Sequence, residues 1–223
     1  MLGHQYRKDC NAATYPALQY AKSLKLTGDG KDVWVFDIDE TALSNLPYYA
    51  RPEIGFGAKE YNATSFNAWI EEGIAPPVPA VLKLYQELLP LGFKIVFISG
   101  TSEKYKKIKI SNLKLAGYHT WGKAHTQNAI RPCCIILILE SVTKNILLPS
   151  GIMSIMIKLR ICVRRPTSES GTTALAYKSA KRKELVEAGY RILGNIGDQW
   201  SDLLGTDSGN RTFKVPDPMY YIS

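Results

Sequence analysis

Cysteine is scarce and falls in no recognisable framework. Cys10, Cys133, Cys134 and Cys162 are the whole set, and none sits in a CxxC spacing. That is too few for a disulfide scaffold and gives zinc no ligand set. Long apolar runs are missing too. The stretch Ile146–Ile157 covers 12 residues, contains Pro149 and Gly151, and runs into Lys158 and Arg160. A spanning helix needs about 20 apolar residues, so no membrane partner is expected. The opening MLGHQYRKDCNAATY lacks the apolar central run of a secretory signal peptide, and nothing repeats internally. Acidic residues are the minority charge, 20 against 28 Lys and Arg. The basic excess is scattered, without aromatic interleaving or a nucleic-acid motif, and much of it falls in residues 122–171, so no nucleic-acid partner is expected either.

What remains is the pattern of a single α/β domain of 223 residues. Ala17, Leu18, Ala21 and Leu24 recur at helical spacing, which predicts a helix over 12–26, starting near Pro16. Val33, Trp34, Val35 and Phe36 form an apolar run of the kind a strand buried on both faces shows. Three later segments share one order: helix, glycine, aromatic, extended stretch. Gly92, Gly117 and Gly189 stand where those helices end, because glycine accepts the left-handed cap conformation. Helix and strand in alternation imply βαβ units. The expected fold is α/β: a doubly wound, mainly parallel sheet of Rossmann type, with a small, mostly helical and loop-built lid after the first strand. That lid is placed at 44–79, rich in Pro, Gly and aromatics, with one short helix around SFNAWIEEG. Residues 122–171 break the pattern and read as an insert, disordered or poorly packed.

Three strands end in polar loops, and parallel neighbours would bring those loops to one rim, where such sheets bind ligands. Strand 33–36 delivers Asp37 and Asp39. Strand 94–98 delivers Ser99 and Gly100. Strand 190–196 delivers Asp198 and Asp202. Two carboxylates two residues apart repel unless a cation compensates. One can attack an electrophile while the other works as general acid and then base. Phosphorus becomes a good electrophile once its charge is masked, and Mg²⁺ takes carboxylates together with phosphate oxygens. Lys178, read as lying just before a helix, offers a further positive charge. Ser99 and the Gly100 N–H offer donors to phosphate. Asp202 either holds a metal-bound water or orients Lys178.

The segments VWVFDIDET, KIVFISG, YKS and NIGDQWSDLLG, in this order, resemble the four motifs of the haloacid dehalogenase superfamily. GHQYRKDC, NLKLAGYHTW and NRTFKVPDPMYYI are further similar to plant acid phosphatases of the class B type, a group that includes the vegetative storage proteins. The resemblance covers residues 1–121 and 172–223. It implies a haloacid dehalogenase-like fold and a hydrolase of small phosphomonoesters using Mg²⁺ and an aspartyl-phosphate intermediate. It makes Asp37 the nucleophile and Asp39 the acid/base, and gives phosphate binding to Ser99, Gly100 and Lys178. The metal goes to Asp37, Asp198 and the backbone carbonyl of Asp39, with Thr41 and Asp202 supporting. The alternative on the same fold is a vegetative storage-type or catalytically impaired protein; the presence of Asp37 favours the enzyme. A homodimer is compatible with the resemblance. The family is secreted or vacuolar and its chains begin earlier than this one. Asn62-Ala-Thr and Asn210-Arg-Thr are glycan acceptors if the chain is secreted.

Overall fold

A computed structural model describes residues 4–119, 160–164, 173–217 and 219. Among the described residues, five parallel strands form one sheet in the order β3-β2-β1-β4-β5. They are β1 (Asp32–Phe36), β2 (Lys94–Ser102), β3 (Arg160–Arg164), β4 (Arg191–Gly197) and β5 (Thr212–Lys214). The chain builds outward from β1 to β2 and β3, then returns to the other side of β1 for β4 and β5. The reversal falls between β1 and β4, so the crevice for a ligand lies beyond their carboxyl ends.

Every residue of β1 is buried, as its apolar run implies. Alternation divides the strand between two cores. Trp34 and Phe36 face one core, shared with Ala17 and Ala21 of α1 (His4–Ser23) and with Leu84, Tyr85 and Leu88 of α4 (Pro79–Leu91). Val33 and Val35 face the other, with Val96, Ile98 and Ile192, covered by Tyr177 and Leu185 of α6 (Ala174–Glu187). Each such side chain contributes roughly 1.5–3 kcal/mol on burial. Helices therefore cover both faces, which is the doubly wound arrangement. Trp34 stacks on Phe213 with ring centroids 5.5 Å apart. It fits because Gly194 lies beside it; a Cβ there would come within 2.5 Å of the indole. The register slips by one residue between Val33 and Trp34 at this point.

Gly92, Gly117 and Gly189 have φ of 98°, 101° and 81°, as their placement at helix ends requires. The first helix begins earlier than expected and holds Pro16 in its interior. The segment 44–79 carries α2 (Leu46–Tyr49), a 3₁₀ turn at Gly55–Gly57 and α3 (Ala63–Glu72). Asn62 caps α3, its side chain accepting from the Ser65 N–H at 3.0 Å. Two edge strands had no sequence signal. One is β5. The other, β3, comes from residues 160–164 within the pattern-breaking segment and pairs in parallel with β2; the rest of 122–171 lies outside the described residues. No helix among the described residues is long and apolar enough to cross a membrane.

Candidate active site

The backbone of β1 continues one step beyond the strand, since the Asp37 N–H donates to Ile196 O of β4 at 3.0 Å. This pins Asp37 at the switch point. Ile38, fully buried, turns into the core, and the Leu43 N–H closes the loop on Ile38 O at 2.8 Å. The turn demands a left-handed residue, and Glu40 supplies it at φ 58°. Its buried carboxyl accepts the Asn45 N–H at 3.0 Å. Burial, then the nearby Asp217, push the Glu40 carboxyl up to about 8. With Ile38 inward, Asp37 and Asp39 both border a cavity of about 330 Å³ at the carboxyl rim.

Gly100, Lys178 and Asp198 line the same cavity, as do Thr101, Gln199 and Ser201. Its outer wall is aromatic: Tyr61 and Phe66 come from the 44–79 segment, Tyr105 from the stretch after β2, and Tyr177 from α6. Ser99 is buried behind the rim and does not line the cavity. Its hydroxyl lies 3.3 Å from Asp39 Oδ2 and 3.0 Å from Thr101 Oγ1, with one proton to give to either. The β2–β3 register shifts between Ser99 and Ser102, so Gly100 and Thr101 form a bulge that re-aims the end of β2.

Lys178 lies inside α6 rather than before it. Thr173 caps the helix by accepting the Ala176 N–H at 3.2 Å, which starts α6 four residues ahead of Lys178. From there Lys178 donates to Asp37 Oδ1 at 2.8 Å and to Asp202 Oδ1 in a still closer contact. Burial alone would lower the Lys178 ammonium, but Asp37 and Asp202 together hold it above its ordinary value. The contact with Lys178 is the arrangement that the second of the two roles read for Asp202 requires. Its other oxygen accepts the Gln199 N–H at 2.9 Å at the start of α7 (Trp200–Leu203). Arg182, one turn along α6, donates to Asp202 O at 2.7 Å and anchors the same loop.

Asp198 is held at both oxygens, Oδ1 accepting from Thr41 Oγ1 at 2.9 Å and Oδ2 from Gln199 Nε2 at 2.7 Å. Thr41, read as a supporting residue, is thus in direct contact with Asp198. Among the described residues no lysine or arginine pairs with Asp198. Burial first, then Asp37 and Asp202, push its carboxyl well up. Asp37 rises to about 7, chiefly through burial and the Asp202 charge, against the pull of Lys178. Asp37, Asp198 and Asp202 each present a carboxylate oxygen within 4.8 Å of one another, all buried. Asp37 Oδ2 takes no hydrogen bond among the described residues. Two crowded carboxylates, one lacking a cationic partner and the other with a bare oxygen, fit a hard divalent cation. Asp202, taken up by Lys178, is the least available of the three.

Sequence reasoning counted Lys178 as the lone positive charge at the rim; the structure adds a second. Lys109, buried on α5 (Lys106–Leu115), donates to Asp39 Oδ1 at 2.5 Å. Burial would raise the Asp39 carboxyl, but the Lys109 charge and its hydrogen bond, with those of Asn45 and Thr101, hold it below the usual carboxylate range. Lys109 hides among Lys104, Lys106 and Lys107. Its only signal is spacing, four after the buried Tyr105 and four before the buried Leu113.

A parallel sheet whose switch point carries clustered acids, a buried lysine and a hydroxyl-bearing loop defines an α/β enzyme built for phosphoryl groups. The comparisons with known proteins agree. The model of one family, the haloacid dehalogenase (HAD) superfamily, subfamily IIIB (acid phosphatase), matches residues 1–129 and 151–223, and the chain belongs to that family. It is 40% identical over 222 residues to acid phosphatase 1 of Solanum lycopersicum, covering 100% of this chain and 71% of that one. It is 40% identical to the stem 28 kDa glycoprotein of Glycine max, covering 99% and 71%. It is 35% identical to vegetative storage protein 1 of Arabidopsis thaliana, covering 98% and 66%. Among solved structures, the class C acid phosphatase of Bacillus anthracis superposes with a TM-score of 0.64 at 20% identity, over 98% of this chain and 80% of that one. That likeness is one of fold.

Proposed function

We propose that the chain hydrolyses small phosphomonoesters in two steps through an aspartyl-phosphate on Asp37, with Mg²⁺ as its cofactor. The observation that carries this reading is the convergence of Asp37, Asp39, Lys178 and Asp198 on one cavity at the β1–β4 switch point. Asp37 is the attacking carboxylate, and Lys178 on its Oδ1 steadies it. As the new O–P bond forms, the P–O bond to the leaving group breaks, and Asp39 gives that oxygen its proton. Asp39, now a carboxylate, takes a proton from water as the water attacks phosphorus, and Asp37 is released with inorganic phosphate. Lys178 and the Gly100 N–H bind the phosphoryl oxygens. Ser99 acts behind them, through Thr101 and Asp39. Asp37 and Asp198, with the backbone carbonyl of Asp39, would hold the metal, and Thr41 and Gln199 would orient Asp198 for it. Bound Mg²⁺ supplies the charge that masks the phosphoryl oxygens.

Phosphate release from an aryl phosphomonoester tests the reading. Activity should require Mg²⁺, fall with a chelator and be fastest below neutral pH. Asp39→Asn should slow turnover about 10²–10⁴-fold, the usual share of general acid–base catalysis. The second reading is a storage-type or catalytically impaired protein, favoured by relatives named as vegetative storage proteins. Undetectable phosphate release from folded, Mg²⁺-loaded chain would favour it. The segments 44–79 and 122–171 are proposed as a lid and an insert within a single domain 1–223, with a small phosphomonoester as partner.

A further inference from the structure

Asp39 is the acid at the rim whose carboxylate oxygens are both engaged twice over. Oδ1 accepts from Lys109 Nζ at 2.5 Å and Asn45 Nδ2 at 3.1 Å. Oδ2 accepts from Thr101 Oγ1 at 3.0 Å and Ser99 Oγ at 3.3 Å. The two pairs differ in kind. An ammonium and an amide NH₂ only donate, whereas a hydroxyl turns readily from donor to acceptor. A proton on Oδ1 would face two donors with nowhere to point. A proton on Oδ2 faces hydroxyls that can turn to receive it. The layout matches: of the four donors only Thr101 lines the cavity, so the Oδ2 side is the one that reaches substrate.

Lys109 is placed for this with little freedom. Its side chain is 3% exposed. Helix α5 is fixed one turn further on, where Asn112 both donates to Ala75 O at 2.8 Å and accepts from the Ala75 N–H at 3.1 Å. Leu113 adjoins it in the core. Asn45, the other Oδ1 donor, is itself held by Trp69 Nε1 at 2.8 Å.

We propose that Lys109 is a positioning residue: with Asn45 it keeps Oδ1 of Asp39 as an acceptor and leaves Oδ2 as the oxygen that exchanges a proton with the substrate. This rests on the acid/base role proposed for Asp39. In the forward step the Oδ2–H bond breaks, its electron pair stays on Oδ2, and the proton goes to the leaving oxygen as the P–O bond breaks. Lys109 touches no reacting atom. Without it the carboxyl is free to turn, and the proton is delivered from the wrong place.

The test compares leaving groups, using the full chain with Mg²⁺. Phenyl phosphate needs its leaving oxygen protonated; 2,4-dinitrophenyl phosphate hardly does. Lys109→Met should lower kcat/KM for phenyl phosphate about 10–100-fold, part of the general-acid contribution, and that for the dinitrophenyl ester by under about 3-fold. Lys109→Arg, which keeps the charge and the donors, should recover most of the loss. Equal losses on both esters, or no loss on either, would overturn the proposal. Should Lys109→Met fail to fold, the uncharged pair Asp39→Asn/Lys109→Met replaces it, compared with Asp39→Asn alone. Equal kcat/KM in those two supports action through Asp39; a further loss of about 10-fold overturns it. A wild-type chain inactive on both esters, or Asp37→Asn as active as wild type, overturns the proposed function itself. Wild-type activity lost in Asp37→Asn, with even losses in Lys109→Met, overturns this inference alone.

Discussion

The acids of the rim are individualised by their neighbours. Burial pushes up both Asp37 and Asp198, helped by the Asp202 charge at Asp37 and by Asp37 and Asp202 at Asp198, while Lys109, Asn45 and Thr101 hold Asp39 down. A general acid held low is protonated to a useful extent only in acid, and above its pKa that fraction falls tenfold per pH unit. With Mg²⁺ bound to keep Asp37 a carboxylate, the rate on poor leaving groups should therefore rise as pH drops from about 8 toward 4. A pH–rate profile that climbs toward 8 would contradict this. Thr41 makes a narrower prediction. It holds Asp198 Oδ1 at 2.9 Å, so Thr41→Val should weaken Mg²⁺ activation about 10–100-fold, the usual effect of losing a residue that orients a metal ligand. Titration of activity against Mg²⁺ measures it, and an unchanged midpoint would show that Asp198 needs no such support. Most of these residues were legible in the sequence because each stands at the end of a buried strand. Lys109 was not, because a lysine in a lysine-rich helix looks like a solvated face until the partner across the chain is known.

At the scale of elements, the site depends on two bends and one gap. The turn after β1 places Asp37 and Asp39 together by burying Ile38 and putting Glu40 at positive φ. The bulge at the end of β2 turns Gly100 and Thr101 toward the cavity. The gap is at Gly197, where a Cβ would collide with the Asp202 side chain. Gly197→Ala should cost about 1–3 kcal/mol, as overpacking does. Thermal denaturation should register that as roughly 2–4 °C per kcal/mol. Gly100→Ala is the contrast, since a Cβ there meets nothing within 4 Å, and its melting temperature should stay at the wild-type value. Strands β1, β2 and β4 and the glycine caps were readable because periodicity and glycine placement are local signals. Strand β5 was not, since Thr212–Lys214 is three residues long and exists only by pairing with β4. Strand β3 was obscured by a segment whose texture matches no element. The position of Lys178 was misjudged because helix α6 begins at a threonine cap rather than at its first apolar repeat.

For the whole molecule, the rim stores a charge imbalance: Asp37, Asp39, Asp198 and Asp202 against Lys109 and Lys178. The folded carboxyl of Asp37, near 7, lies above the unfolded value of about 3.9, and Asp198 is raised as well. Between those values the folded chain binds more protons than the unfolded one, so stability is full at the acid end and is lost as pH rises. Metal-free chain should melt several degrees lower at pH 7.5 than at pH 5, at about 2–4 °C per kcal/mol. Adding Mg²⁺ should recover most of that at the higher pH, because the cation takes over what the protons did. A melting temperature independent of both pH and Mg²⁺ would mean that the acids do not share a site. The central claim, that Asp37 carries the phosphoryl group, is tested most directly by acid-quenching the chain during turnover of a ³²P-labelled phosphomonoester and locating the label by peptide mapping. The label should sit on Asp37, be lost under alkaline hydroxylamine as an acyl phosphate is, and be absent from Asp37→Asn along with turnover. Label on another residue, or undiminished turnover by Asp37→Asn freed of contaminating phosphatases, would contradict the mechanism.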